Sequence, residues 1–320
     1  MRTLLLLDGN NAAHKARHTF SLAAPNGDDV SVVFGFLNSL RFGLKMFKPE
    51  ACIIAWDGRI PRFRRMMVPS YKVKRKAKED ESYPIFLEQL RELQEILSLT
   101  GTVNVYRPSM EADDLLYHAA FLAKGKYDRI IIVTDDADLF QAVQIPNVFV
   151  YSSRKDTLID QGYVKEEYGV EINQYVYWKA LQGDVSDNIG GVPGIGPVRA
   201  TKLFQKYKTL SIILEAAAKG EIKGKLGKNI REFGLEDISK NIYIMSLSED
   251  RTGARKGLLE EVKEFAPLDV KRFKKRLFSR NFISIMDAGF FRDLGKLKAP
   301  DLKVDVRAPV ICDWRFPVEA

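Results

Sequence analysis

Short apolar runs alternate with longer stretches of helical periodicity through the first half of the chain. Residues 4–7, 51–56, 102–106, 129–133 and 148–151 have the length and apolarity of buried strands. Between them, residues 30–47, 84–99 and about 111–124 repeat apolar positions at helical spacing, with Phe86, Leu90, Leu93 and Leu97 on one stripe. Strands apolar on both faces, alternating with helices, predict an α/β fold with a mainly parallel sheet flanked by helices. After about residue 160 the pattern turns helical, punctuated by glycine and proline at residues 190–197. From Phe291 onward Pro300, Pro309 and Pro317 break what periodicity remains, which predicts an extended arm over the core or a loosely ordered tail.

The strands share a second property: they lead into acids. Asp8 follows the first, Asp57 the second, and Asp136 and Asp138 the fourth, while Glu111, Asp113 and Asp114 open the helix after the third. Asp184 and Asp187 stand near the end of a later helical stretch, three apart, and are expected to share a helix face as Glu111 and Asp114 do. Groups just past the carboxyl ends of parallel strands converge on one crevice. So many carboxylates repel one another unless cations neutralise them, and hard ions such as Mg²⁺ or Mn²⁺ take oxygen ligands of this kind. Two such ions about 4 Å apart would stabilise the attacking and leaving oxygens of phosphodiester hydrolysis. Singly, each acid reads equally as a turn residue or a helix cap. Their recurrence at one level of the sheet favours the metal reading.

Composition adds a polyanionic partner. The chain has 320 residues, 50 Lys+Arg against 42 Asp+Glu and a net charge of +8, an imbalance that favours nucleic acid. Nine basic residues and no acid fill positions 59–78, among them Arg64, Lys72, Lys74, Arg75 and Lys76, with Tyr71 placed to stack on an unpaired base. The segment Gly191-Val192-Pro193-Gly194-Ile195-Gly196-Pro197 leads into a basic helix carrying Arg199 and Lys202. Its exposed N–H groups suit phosphate binding without base readout, as in a helix–hairpin–helix turn. The two cysteines, Cys52 and Cys312, have no ligand spacing, and the three histidines form no nucleophile triad. No run approaches the roughly 20 apolar residues of a membrane span, and a reducing, cytoplasmic setting is expected.

Taken in order, Asp8-Gly9-Asn10, Trp56-Asp57, Glu111-Ala112-Asp113-Asp114, Thr134-Asp135-Asp136-Ala137-Asp138, Gly183-Asp184-Val185-Ser186-Asp187-Asn188 and the glycine-rich turn resemble the motifs of the 5′ nuclease family. That family holds flap endonucleases, phage 5′–3′ exonucleases and the 5′-nuclease domain of bacterial DNA polymerase I. The resemblance covers residues 1 to about 215. It implies a PIN-like core (1–180) with a helical arch at about 59–83, and a helical duplex-binding region (181–290) with a helix–three-turn–helix element at about 184–210. Residues 291–320 remain as a tail. It implies that Asp8, Asp57, Glu111, Asp113 and Asp114 bind one divalent ion and that Asp136, Asp138, Asp184 and Asp187 complete a second. Lys72 matches the arch-base lysine that positions the scissile phosphate, and Gly194 and Gly196 match the duplex-binding turn, where backbone oxygens often hold K⁺. Lys15 stands where the family often has arginine, which keeps the charge but not the forked geometry.

The expected activity is 5′–3′ exonuclease and flap endonuclease cleavage of DNA carrying a 5′ end or flap, by a monomer. An RNA–DNA primer duplex is a further substrate, and a single-stranded-DNA-binding protein or clamp a further partner. Two alternatives are a non-catalytic DNA-binding protein of the same fold and a PIN-type ribonuclease.

Overall fold

The computed structural model describes residues 1–73, 82–251 and 253–303. β1 (Thr3–Asp8) leads into α1 (Gly9–Thr19) and α2 (Ser31–Phe47), followed by β2 (Ala51–Trp56). Next come α3 (Arg62–Met67), α4 (Tyr83–Leu97), β3 (Val103–Tyr106), α5 (Ala112–Ala123) and β4 (Arg129–Val133). A 3-10 helix (Ala137–Gln144) precedes β5 (Val148–Ser152) and β6 (Thr157–Ile159). The next stretch holds α6 (Gln161–Tyr168), α7 (Tyr175–Gln182), the hairpin strands β7 (Gly183–Asp184) and β8 (Ile189–Gly190), α8 (Pro197–Tyr207), α9 (Leu210–Ala218) and α10 (Gly224–Met245). α11 (Ala254–Glu261), α12 (Val270–Ser279) and α13 (Ala288–Leu294) follow. Among the described residues no helix is long and apolar enough to cross a membrane.

The chain forms two compact units. The first holds residues 1–59, 82–158 and the described residues from 250 on; the second holds 60–73 and 159–249. The second unit is therefore built from two separate stretches of the chain, with residues 82–158 of the first unit between them.

In the first unit β1 to β5 pair in parallel within the order β3-β2-β1-β4-β5-β6. Leu5, Leu7, Cys52, Ile54 and Trp56 share a core with Phe36, Leu37 and Leu40 of α2, and Leu93 and Ile96 of α4 join it. Side chains alternate across a strand, so Leu4, Leu6, Ile53 and Ala55 face the opposite side, and α5 is buried along almost its whole length. Burial on both faces explains the unbroken apolar runs. Truncating a fully buried side chain such as Phe36 would cost about 3–5 kcal/mol.

The strand order decides where a ligand can bind. The chain steps from β1 outward to β2 and β3, then returns to lay β4 against the other edge of β1. Such a reversal leaves a crevice beyond the carboxyl ends of the two central strands. Asp8 ends β1, Asp57 follows β2 and Thr134–Asp136 follow β4, so the acids of three strands border that crevice.

Several expectations need correction. Asp184 and Asp187 do not share a helix face: α7 stops at Gln182, Asp184 lies in β7, and Asp187 lies in the turn before β8. A side chain on Gly191 would meet the Gln182 carbonyl oxygen at 2.0 Å, so only glycine lets the chain fold back here. Residues 291–294 of the expected tail belong to α13, whose Phe290 and Leu294 pack into the first unit's core. Lys74, Arg75, Lys76 and Cys312 lie outside the described residues.

Candidate active site

Asp8 is both the last residue of β1 and the N-cap of α1, with its Oδ1 accepting from the Asn11 backbone N–H at 2.9 Å. The following residue must be glycine, because a Cβ there would lie 2.6 Å from the Trp56 ring. That close approach brings α1 over the end of β2. The Asn10 side-chain oxygen accepts from the Asp57 N–H at 2.9 Å, and Asp57 Oδ1 accepts from the Ala112 N–H at 2.8 Å. The second bond fixes the start of α5, where Glu111 and Asp114 are buried and Asp113 is half-buried.

On the other flank, Thr134 links two acids. Its hydroxyl donates to Asp8 Oδ2 at 2.9 Å and accepts from the Asp136 N–H at 3.1 Å. Asp136 in turn caps the 3-10 helix by accepting from the Asp138 N–H at 2.9 Å. Burial, together with the charges of Asp57 and Asp136, pushes the Asp8 carboxyl up to about 7, against the hydrogen bonds from Asn11 and Thr134. Like charges are crowded here, and a cation would relieve them. The donors are hard oxygens of the type that Mg²⁺ or Mn²⁺ prefers, so the residues fit a divalent ion. Among the described residues no three His, Cys, Asp or Glu side chains form a ready-made cage.

Asp184 and Asp187 belong to the second unit. Asp184 Oδ1 accepts from the Ser186 hydroxyl at 2.6 Å and from the Ser186 and Asp187 N–H groups at 2.8 and 3.1 Å. Lys179 Nζ stands 3.6 Å from its other oxygen, and Lys72 Nζ stands 3.8 Å from Asp187. Burial opposes ionisation of Asp184, but the Ser186 hydroxyl, Lys179 and the backbone donors outweigh it and hold the carboxyl below its ordinary value. Lys72 adopts φ 55°, and its N–H donates to the Asp187 carbonyl at 3.0 Å, so backbone and side chain both tie it to this turn.

The glycine-rich turn is also pinned. Asn241 Nδ2 donates to the Ala180 and Gly190 carbonyls, while Arg199 Nη1 donates to the Gly194 carbonyl at 2.6 Å. Gly196 is the N-cap of α8, Pro197 occupies its first turn, and Arg199 and Lys202 are exposed on it.

Three expected nucleic-acid contacts have other surroundings. Arg64 is buried: its Nε donates to the Ile244 carbonyl at 3.2 Å and its guanidinium stacks on Phe63, so it anchors α3 within the second unit. Tyr71 is buried as well, with Lys72 Nζ 5.1 Å from its ring centre, and presents no open face to a base. Lys15 is exposed, but its Nζ donates to Ser153 Oγ at 2.5 Å and lies 4.0 Å from Asp135. Asn10, Asn11, Thr134, Ser186 and Lys179 are positioning residues that sequence reasoning missed. The signal available for Asn10, Thr134 and Ser186 was their place inside the Asp-Gly-Asn, Thr-Asp-Asp-Ala-Asp and Gly-Asp-Val-Ser-Asp-Asn motifs, and Asn11 directly follows the first.

Comparison with known proteins bears on this geometry. The family model described as 5′–3′ exonuclease, N-terminal resolvase-like domain, matches residues 3–169, and that of the 5′–3′ exonuclease C-terminal SAM fold matches residues 170–252. DNA polymerase I of Deinococcus radiodurans is 35% identical over 229 residues, covering 69% of this chain and 22% of the polymerase. The thermostable DNA polymerase I of Thermus aquaticus is 31% identical over 305 residues, covering 93% of this chain and 33% of the polymerase. The chain thus spans no more than a third of the length of these two relatives. Bacteriophage T5 flap endonuclease, solved as a pseudo-enzyme–product complex with DNA and metal ions, superposes with a TM-score of 0.68 at 21% identity over 88% of this chain and 100% of that one. The T5 5′-exonuclease with bound zinc gives 0.68 at 21% identity, over 89% of this chain and 100% of that one. At that identity these structures establish a shared fold. A resolvase-like domain with acids at its sheet reversal, continued by a SAM-fold region, makes this chain a member of the 5′–3′ exonuclease family.

Proposed function

We propose that this chain is a structure-selective, divalent-metal-dependent 5′ nuclease. It hydrolyses phosphodiester bonds near the 5′ ends of duplex or flap DNA, acting as a 5′–3′ exonuclease and flap endonuclease. The observation that carries the reading is the charge crowding on Asp8, produced by Asp57 and Asp136 at the sheet reversal. Mg²⁺ or Mn²⁺ held by Asp8, Asp57, Glu111, Asp113 and Asp114 would supply activation of water and charge neutralisation at the phosphate. Asp136, Asp138, Asp184 and Asp187 are the proposed ligands of a second ion.

The remaining roles fall to the chain's own groups. Asn10, Asn11 and Thr134 hold the carboxylates in place, and Lys72 offers its ammonium to the scissile phosphate. Gly194, Gly196, Arg199 and Lys202 grip the duplex backbone without reading its sequence, with Lys15 as a further phosphate contact. A K⁺ ion at the turn would compete with Arg199 for the Gly194 carbonyl and with Asn229 for the Pro193 carbonyl. Duplex binding falls to the helical region from 181 to 249, and the described residues of 250–303 belong with the first unit's nuclease core rather than with a duplex-binding region or a tail. RNA–DNA primer duplexes fit the same chemistry, as do a cytoplasmic setting, a monomer and a single-stranded-DNA-binding protein or clamp as partner.

One assay tests this. The protein is incubated with 5′-flap, nicked and RNA-primed duplexes in Mg²⁺ or in EDTA, and the products are mapped. Cleavage near the 5′ end in Mg²⁺ and none in EDTA is expected. Metal-independent cleavage, or cutting indifferent to the 5′ end, would overturn the reading.

A further inference from the structure

A cavity of about 880 Å³ opens in the first unit between α1, α2, the ends of β1, β4 and β5, and α13. Its deep wall includes Thr134 and Asn11, two of the residues that hold Asp8, so it adjoins the carboxylates without containing them. Of its lining, Asn11, Thr134 and Lys15 have roles in the proposed mechanism; Asn38, Phe42 and Lys45 have none.

Its walls carry three kinds of chemistry. The first is aromatic: Phe42 of α2 and Tyr151 of β5 lie 6.0 Å apart and tilted by 31°. Phe42 is 48% exposed although it sits in the middle of a helix that buries most of its apolar residues. A large ring left half in water beside a concave space suits contact with a planar ligand. The second is amide: Asn38 lines the wall, and Asn11, whose Oδ1 accepts from the Asp135 N–H at 3.3 Å, offers its Nδ2 as a donor to a base edge.

The third is cationic. Lys15, Arg41, Lys45 and Arg292 reach the cavity from three helices. The acids of the same wall already have partners. Asp287 caps α13 and accepts from Arg41, Asp293 stands 3.6 Å from Arg292, and Asp156 accepts the Tyr151 hydroxyl at 2.5 Å. Lys45 lies one turn from Phe42 on α2, so a ring stacked on Phe42 would place a phosphate within reach of the ammonium.

The exposed Phe42 ring, an amide edge and an adjoining cation together describe a phosphorylated nucleoside better than a free anion or an apolar ligand. We infer that this cavity binds a deoxynucleoside 5′-monophosphate, the smallest product of cleavage from a phosphorylated 5′ end. The source of that ligand rests on the nuclease reading; the binding itself does not.

The test titrates dAMP into the full chain by calorimetry in EDTA, where the carboxylates hold no metal. Saturable one-site binding is expected, weakened at least about tenfold by Phe42→Ala and by Lys45→Glu, with flap cleavage in Mg²⁺ kept within about twofold in both variants. Added dAMP should inhibit the parent and spare the variants, and Asp8→Asn should lose cleavage while binding dAMP normally. Absence of saturable binding, equal binding by the two cavity variants, or loss of binding in Asp8→Asn would overturn the assignment. Displacement of dAMP by inorganic phosphate at equal concentration would also overturn it, by reducing the site to a plain anion site. Intact dAMP binding in a protein that cuts no DNA would sink the nuclease reading and leave the cavity assignment standing.

Discussion

Asp8 and Asp184 each begin a short polar turn, and each accepts a backbone N–H from the residue three places on. Their surroundings pull them in opposite directions. Around Asp8 the neighbours that matter are burial and two further acids, and the carboxyl rises to about 7. Around Asp184 a lysine and a serine hydroxyl outweigh burial, and the carboxyl falls below its ordinary value. The first unit thus holds an acidic group short of positive charge, whereas the second unit's acids carry Lys179 and Lys72 beside them. A divalent ion supplies what the first group lacks. At the second group it has to compete with two ammonium groups. This ranks the two proposed ion sites: the one built on Asp8, Asp57 and the acids of α5 is tighter, and the one that also draws on Asp184 and Asp187 is weaker.

The largest expected effect follows from that ranking. Asp8→Asn should slow single-turnover flap cleavage by on the order of 10³-fold or more while DNA still binds in a gel-shift assay. Asp184→Asn should cost at least about tenfold less than that. Equal losses would erase the distinction between the groups.

Stability against pH sharpens it. Asp8 keeps its proton in the folded state up to about 7, whereas an unfolded aspartate releases it at its ordinary value of 3.8. Between those values the folded state binds more protons, so the metal-free protein should lose stability as pH rises through that window. Asp184 works in the opposite sense: its lowered value adds stability that is lost as pH falls through the acid range. Thermal melts in EDTA at about pH 5.5 and about pH 8 should therefore show the lower midpoint at the higher pH. Mg²⁺ should raise the midpoint more at the higher pH, and Asp8→Asn should flatten the profile. A metal-free midpoint that rises over this range in the parent protein would contradict the charge crowding.

Smaller effects come from the partners of the second group. Lys179→Met removes the cation from Asp184 and should cost about 2 kcal/mol in urea unfolding near neutral pH, an effect that fades only as pH falls below the ordinary carboxylate value of 3.8. Ser186→Ala removes one of three donors and should cost about 1 kcal/mol. If Ser186→Ala cost more than Lys179→Met, hydrogen bonding rather than the lysine charge would be what balances this turn.

The sheet and its acids were legible in the sequence because both depend on local pattern. A strand buried on both faces has no polar positions until it ends, so the first acid after each run marks the edge of the sheet. The hairpin of Asp184 was not legible. Two-residue strands have no periodicity, and the fold-back depends on how closely Gly191 can approach the Gln182 carbonyl. Arg64 misled for a related reason. Within a basic run it resembles its neighbours, and the Ile244 carbonyl that accepts from it lies 180 positions away in sequence. Lys179 gave no signal, since a lysine five residues before an aspartate is ordinary until α7 and the turn bring the two together.

The interrupted first unit has a consequence for how the protein is made. Phe273, Leu277, Phe290 and Leu294 bury in the same core as Phe36 and Leu37, yet they are translated after residues 60–73 and 159–249 of the second unit. A ribosome delivers β1, β2 and β4, and with them Asp8, Asp57 and Asp136, long before it delivers the helices that cover this face of α2. The growing chain therefore carries its acids on an incompletely covered core while residues 159–249 emerge. A product ending at residue 252, where the family match stops, would keep every acid of the proposed site and lack the four side chains that complete this core.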